Sequence, residues 1–170
     1  MDVRPCVNTD EMRAAIAPIW HYFGQNTPSD DAVKQLHRVL PPERVHAGFD
    51  GERIVSGSAS FPLDLTVPGG RVKAAGVTVT GVFPTHRRRG YLHAMKRSLI
   101  DAAHARGEAV AVLWATEDAI YGRFGYGMAS MAAEIDMPRD RAAPLAAVDV
   151  PGETRLVPLA EAEPLIAPIY

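Results

Sequence analysis

A single cysteine, Cys6, stands in a chain of 170 residues. That excludes an internal disulfide and any zinc site built on thiolates. No apolar run approaches the length of about eighteen residues that a membrane-spanning helix needs, and Met1-Asp2-Val3-Arg4-Pro5 lacks the character of a secretory leader. Charge of one sign is also missing: the formal net charge is −2, so no general attraction to nucleic acid or to an anionic membrane is expected. The chain is therefore expected in the cytoplasm, with neither nucleic acid nor membrane as a partner. His86, His93 and His104 have no Cys or acidic neighbour at ligand spacing, so no metal is expected. They read as surface or backbone-contacting histidines.

What is present is ordinary globular material, 47% hydrophobic and 22% charged, enough for the core of one α/β domain. Val3 to Val7 reads as a first strand. Thr9-Asp10-Glu11 opens a helix with Ile16, Ile19, Trp20 and Phe23 at helical spacing, ended by Gly24 and threatened by Pro18. Ser29-Asp30-Asp31 starts a second helix that runs to Leu40 before Pro41-Pro42. Arg44 to Asp50 and Arg53 to Phe61 flank Asp50-Gly51, a hairpin turn, and Pro68-Gly69-Gly70 marks a second hairpin between Leu63–Val67 and Arg71–Lys73. From Gly90 a helix is predicted to bury Leu92, Met95, Leu99 and Ala102 and to stop at Arg106-Gly107. Asp101 and Glu108 read as solvated charges at its end.

The segment from Val79 to Leu92 combines a strand, a Pro-led turn and an Arg- and Gly-rich entry into that helix. Unpaired N–H groups and a partial positive charge at a helix start favour an anion, and arginines give charge-assisted contacts to phosphate oxygens. Neither Gly-x-x-x-x-Gly-Lys-Ser/Thr nor Gly-x-Gly-x-x-Gly can be threaded through it. The run Arg87-Arg88-Arg89-Gly90-Tyr91-Leu92 instead resembles the Arg/Gln-x-x-Gly-x-Gly/Ala loop of the GCN5-related N-acetyltransferases, with Leu92 where a small residue is usual.

A second segment, Ala111 to Gly127, opens as an apolar strand and passes through Thr116-Glu117-Asp118, read as an N-cap with early acids, into a short helix that turns at glycines. Strand, anion-binding helix and parallel strand make a βαβ crossover, which puts both segments on one rim of the sheet. Pro84 to Gly90 together with Ile120-Tyr121-Gly122-Arg123-Phe124-Gly125-Tyr126-Gly127 is similar to the Eis family, named for enhanced intracellular survival, from about Leu63 to Gly127.

That resemblance implies an α/β (α+β) GCN5-related acetyltransferase fold, a mixed central sheet flanked by helices, and acetyl-CoA as co-substrate. It implies Tyr121 as the general acid for the leaving thiolate, a role that suits a phenol protonated at neutral pH. Tyr126 reads as packing. By the same resemblance Arg87, Arg88, Arg89, Gly90, Tyr91, Leu92 and His93 hold the pyrophosphate, the backbone of Thr80, Gly81 and Val82 pairs with the pantetheine arm, and Thr116 and Glu117 contact the cofactor. A departure at Trp114 bears on the shape of the acceptor pocket. The acceptor implied is a small-molecule or lysine amine, aminoglycoside-like; the base lies outside this chain; the full-length protein is a homo-oligomer. A non-catalytic acyl-CoA-binding regulatory module is the alternative, and a nucleic-acid contact by the three arginines a weaker one.

A further strand is expected after Gly127, through Ile135. Past Met137-Pro138 the composition turns to a Pro-, Ala- and Arg-containing linker, Thr154 to Val157 reads as another strand, and Leu159 begins a helix. The expected organisation is an acetyltransferase domain over 1–150 and the start of a second domain over 151–170, with Leu159, Leu165, Ile166 and Ile169 shaped to pack on something downstream.

Overall fold

The computed structural model describes residues 2–142, 151–166 and 168. The chain divides into two compact units, Met1–Ala129 and Ser130–Tyr170.

In the first unit, β1 (Asp2–Pro5), β2 (Val45–Asp50), β3 (Arg53–Val67), β4 (Gly70–Val82) and β5 (Val110–Leu113) form one sheet in sequence order. The first four strands pair antiparallel, and β5 runs parallel to β4. That parallel step is made by the predicted crossover through α3 (Tyr91–Ala105). The sheet is therefore mixed, with α1 (Thr9–Tyr22), α2 (Asp30–His37) and α3 around it.

Strand β3 is longer than expected and runs straight through Pro62, which is opposite Ala75. Its other neighbour, β2, ends its pairing at Ala59, so Pro62 sits where β3 is already an edge and its missing N–H costs no ladder bond. Helix α1 opens at Thr9, as expected, behind Asn8 as its N-cap, whose side chain accepts from the Glu11 N–H at 2.8 Å. Pro18 is carried inside the helix instead of ending it. The α2 helix stops at His37, short of Leu40.

Two glycines let α1 lie close on the sheet. Gly57 and Gly81 are cross-strand partners on β3 and β4. A Cβ on Gly57 would lie 1.9 Å from the Ala15 carbonyl oxygen, and one on Gly81 would lie 2.7 Å from the Ile19 nitrogen. Helix backbone thus rests on strand backbone, and Met12, Ala15 and Ile16 are fully buried beside Val45, Ala47 and Ala59.

The inner face of α3 is Tyr91, Met95, Lys96, Leu99 and Ala103, not the predicted Leu92, Met95, Leu99 and Ala102. Leu92 and Ala102 lie on the flank, half-buried, because the helix leans over β1, β2, β3 and β4 together. Lys96 is 1% exposed. Glu108, expected as a solvated charge, is buried and bonded by Arg44 at 2.6 Å and Arg106 at 3.0 Å. Asp101 is exposed, as expected, 3.9 Å from Arg97.

The strand expected through Ile135 does not form: residues 126–138 hold no strand, and Met128, Met131 and Ile135 are exposed. No strand forms over 154–157 either. An extended segment becomes a strand only when another strand takes its N–H and C=O groups, and among the described residues neither segment has one. In the second unit, α4 (Leu159–Ile166) forms where a helix was predicted, with Leu159 and Leu165 exposed. The linker from 143 to 150, with the boundary expected there, and Ile169 lie outside the described residues.

Candidate active site

Strands β4 and β5 pair only over Ala74–Val77 and Val110–Leu113. Beyond that point β5 has ended while β4 continues to Val82, which leaves the backbone of Thr78 to Val82 without a strand on that side. The same stretch carries a bulge: Gly81 faces Gly57 and Thr78 faces Ala59, so Val79 and Thr80 together oppose Ser58. Val79 has φ 42, a left-handed conformation that a β-branched residue avoids unless its surroundings hold it. A bulge of this kind re-aims side chains next to functional sites.

Two cavities of about 630 and 620 Å³ meet around the opened strand, sharing Ile19, Phe23, Thr80, Thr116 and Tyr121 as walls. The second is basic. Its lining includes His86, Arg87, Arg88, His93 and Arg123 against a single carboxylate, Glu117. At its floor α3 begins at Gly90, whose φ of 86 belongs to the left-handed region that glycine enters without a steric penalty. No side chain caps this helix and its first turn holds no acid. The first N–H to reach a helical carbonyl is that of Ala94, bonded to the Gly90 oxygen at 3.0 Å. Preceding N–H groups are thus left for a ligand, the arrangement that binds phosphates.

Nearly all the residues singled out from the sequence come together here. Thr80, Gly81, Val82, Arg87, Arg88, Gly90, Tyr91, Leu92, His93, Thr116, Glu117 and Tyr121 all line the basic cavity. Arg89 does not; its guanidinium lies 3.8 Å from the Asp50 carboxylate. The Tyr91 hydroxyl is turned inward and donates to the Phe49 carbonyl at 3.1 Å, so the residue meets the cavity chiefly at its backbone. Arg88 has φ 60, a strained value for a side-chain-bearing residue, and makes no ion pair among the described residues. His86 is buried, not superficial: its Nε2 lies 3.1 Å from Asp50 and its Nδ1 2.8 Å from the Thr85 hydroxyl. It braces the loop from beneath.

Thr116 is no helix cap. The turn begins one residue on, after Glu117, and the Asp118 carboxylate accepts from the Ala119 N–H at 2.7 Å. The predicted short helix is two 3-10 turns, Asp118–Ile120 and Gly122–Phe124, closed by Gly125 at φ 85. These turns swing Tyr121 into the place where the two cavities share walls. Across the mouth, the Tyr22 hydroxyl at the end of α1 donates to Glu117, while the Arg87 guanidinium sits 5.7 Å above the Tyr22 ring.

The other cavity is bounded by Ile19, Trp20, Phe23, Phe61, Leu63, Val112 and Trp114, and none of its lining residues is charged. Trp114, noted as a departure, is 83% exposed at its rim.

Burial, then the Glu117 carboxylate, holds the Tyr121 phenol above its ordinary pKa. The Tyr126 ring packs edge-on against it, 5.8 Å between centroids. The residue that sequence reasoning missed is Lys96. Its ammonium donates to the Thr80 hydroxyl at 3.3 Å and lies 5.2 Å from the Tyr121 ring centre and 5.6 Å from that of Tyr126. Burial lowers its pKa to about 8. A lysine among helical positions reads as solvated face, and its only signal was falling one residue after Met95 on the inner side.

A family model described as an acetyltransferase (GNAT) domain matches residues 3–129. An uncharacterized N-acetyltransferase of Streptomyces coelicolor is 54% identical over 95 residues, 54% of this chain and 23% of that protein. The N-acetyltransferase Eis of Mycobacterium tuberculosis is 44% identical over 90 residues, 52% of this chain and 22% of that one. Among solved structures, Eis1 from Mycobacterium abscessus superimposes with a TM-score of 0.72 at 38% identity, covering 89% of this chain and 38% of that one. The matches cover 22% to 34% of the length of these curated relatives.

Proposed function

Since the chain belongs to the GNAT acetyltransferase family, we propose that it moves an acetyl group from acetyl-coenzyme A to a primary amine. The observation that carries this reading is the placement of Tyr121 where a basic, helix-floored cavity meets an uncharged one.

The residues fit the donor. The uncapped N–H groups at the start of α3, with the Arg87 and Arg88 side chains, suit a pyrophosphate in number and charge. Arg89 and His86 act one step back, through Asp50, to hold the loop in shape. The opened backbone of Thr80, Gly81 and Val82 offers a pantetheine arm the hydrogen bonds of an added strand. Thr116 and Glu117 bound that groove on its far side, with Glu117 held by Tyr22. When bound there, acetyl-CoA supplies an activated thioester.

Tyr121 then serves as the acid. Its raised pKa keeps the proton on the phenol at neutral pH, ready for the sulfur on which charge develops. The acceptor enters by the uncharged cavity. Walls without carboxylates favour an amine in its neutral form, the form that attacks a carbonyl. By resemblance that amine belongs to an aminoglycoside-like molecule or a protein lysine. In this reading residues 151–170 open a further domain, supported by the exposed Leu159, Leu165 and Ile166 of the second unit and by the greater length of the relatives, and by resemblance the full-length protein is a homo-oligomer.

The test is Tyr121→Phe in the full-length protein. The ring and its packing stay while the proton is lost, so acetyl-CoA affinity should hold and turnover should fall by roughly 10²- to 10⁴-fold. Undiminished turnover would leave the acid unassigned. Acetyl-CoA binding without turnover of any amine in the parent would favour a non-catalytic acyl-CoA-binding module.

A further inference from the structure

Lys96 is a buried cation without a buried anion. Its side chain is 1% exposed, and among the described residues no carboxylate lies within ion-pairing distance. A lone ammonium in a protein interior is costly, and replacing it by an apolar residue of similar length is often neutral or stabilising. Something other than stability therefore accounts for its place. Its one hydrogen bond, to the Thr80 hydroxyl, ties it to the bulge of β4, and that hydroxyl is itself 2.8 Å from Ser58. The chain from Ser58 through Thr80 points the ammonium at the faces of two aromatic rings, Tyr121 and Tyr126, set edge to face. The Tyr126 hydroxyl is buried with no partner among the described residues.

We propose that Lys96 is a positioning residue for Tyr121: its ammonium fixes the two rings and offsets the negative charge left on the Tyr121 oxygen when the proton departs. This rests on the reading of Tyr121 as the acid. The neutral amine first forms a bond to the thioester carbon, the carbonyl pair moving to oxygen, and the nitrogen gives its proton to a base outside this chain; as the carbonyl re-forms, the carbon–sulfur bond breaks with its electron pair going to sulfur. The Tyr121 O–H bond then breaks, the proton joins sulfur, and the pair stays on oxygen as a phenolate. Other charges around the phenol work against this. Glu117 opposes a second negative charge, and Tyr126 offers only a neutral hydroxyl. Among the described residues, Lys96 is the cation that lies over the Tyr121 ring.

The experiment compares the full-length parent with Lys96→Met and Lys96→Gln, each also built on Tyr121→Phe. The donor is acetyl-CoA, and the acceptor is the best amine among an aminoglycoside, a lysine peptide and a simple alkylamine. Methionine keeps the length without the charge; glutamine keeps the hydrogen bond to Thr80 without the charge. Both should fold, bind acetyl-CoA as the parent does, and lose about 10- to 100-fold in kcat at pH 7, as expected for one charge acting over about 5 to 6 Å in a partly shielded interior. The ratio of parent to variant kcat cancels the acceptor's own titration. It should shrink toward one as pH rises through about 8, where Lys96 itself gives up its proton. On the Tyr121→Phe background neither change should cost anything further.

Normal kcat in both variants, a ratio flat across that pH range, or a full additional loss on the Tyr121→Phe background would each overturn the proposal. Inactive Tyr121→Phe beside normal Lys96 variants removes Lys96 alone. Active Tyr121→Phe removes the acid, and this proposal with it.

Discussion

Gly57→Ala should unfold the molecule's central contact, because the added methyl has nowhere to go. The Cβ would stand 1.9 Å from the Ala15 carbonyl oxygen, 2.5 Å from its carbonyl carbon and 3.0 Å from its Cα, all of them helix backbone. Ordinary contact begins at 3.4 Å, so α1 must retreat by about 1.5 Å, the difference of 3.4 and 1.9. A side chain could rotate away; a helix backbone cannot. Retreat would part Met12, Ala15 and Ile16, each fully buried, from the sheet. Overpacking of this kind costs roughly 1 to 3 kcal/mol and here falls at the upper end, beyond the 0.4 to 1 kcal/mol or so that alanine gains by stiffening the unfolded chain. At Gly81 the nearest atom is 2.7 Å away, so Gly81→Ala asks for about half that shift and a smaller loss. Gly70→Ala is the control, with no atom within 4 Å and an ordinary φ. Urea denaturation of the three variants, read by circular dichroism, should rank them Gly57 below Gly81 below Gly70, with Gly70→Ala near the parent. A Gly57→Ala midpoint equal to that of Gly70→Ala would refute the view that α1 rests directly on the glycine pair. Because α1 also carries Ile19, Tyr22 and Phe23 to the cleft, acetyl-CoA affinity should fall in the same order.

Three further outcomes can be measured. Arg88→Gly removes a guanidinium that faces the basic cavity and relieves a φ of 60, so calorimetric titration should show acetyl-CoA bound about one to two decades more weakly while thermal stability holds or rises; unchanged affinity would take Arg88 out of the site. His46 is held neutral by burial first and by Arg106 second, its pKa lowered to about 4, so the unfolded chain takes up a proton that the folded chain refuses. Stability should be full above pH 6.5 and fall toward pH 4 by up to roughly 3 kcal/mol, a slope that His46→Gln should flatten; an unchanged slope in that variant would assign the loss elsewhere. Lys96, with its pKa lowered to about 8 by burial, predicts the alkaline counterpart: parent stability relative to Lys96→Met should rise between about pH 8 and 10.5, and a constant difference over that window would show that the ammonium is not shielded from water.

The local chemistry of the chain was legible before any fold was known. Asp50-Gly51 and Pro68-Gly69-Gly70 dictate hairpins, Gly90 after three arginines dictates an uncapped helix start, and the Pro84–Gly90 and Ile120–Gly127 motifs, read together, bring out the residues that now line the basic cavity. Such features depend on neighbours a few residues away, so the sequence carries them directly. What it could not carry is whether a partner strand or cavity exists. Residues 128–135 and 154–157 have strand-like sequence and form no strand, since pairing needs an edge that only the assembled sheet provides. Glu108 read as a solvated charge, and His86 as a surface or backbone-contacting histidine, until Arg44 and Asp50, distant in sequence, closed around them. The inner face of α3 kept Met95 and Leu99 but took in Tyr91, Lys96 and Ala103 because the helix lies across the sheet, and this turned Lys96 from a surface charge into a buried one beneath Tyr121. Burial is a property of the whole packing, and a charge changes its meaning with burial more than any other group does.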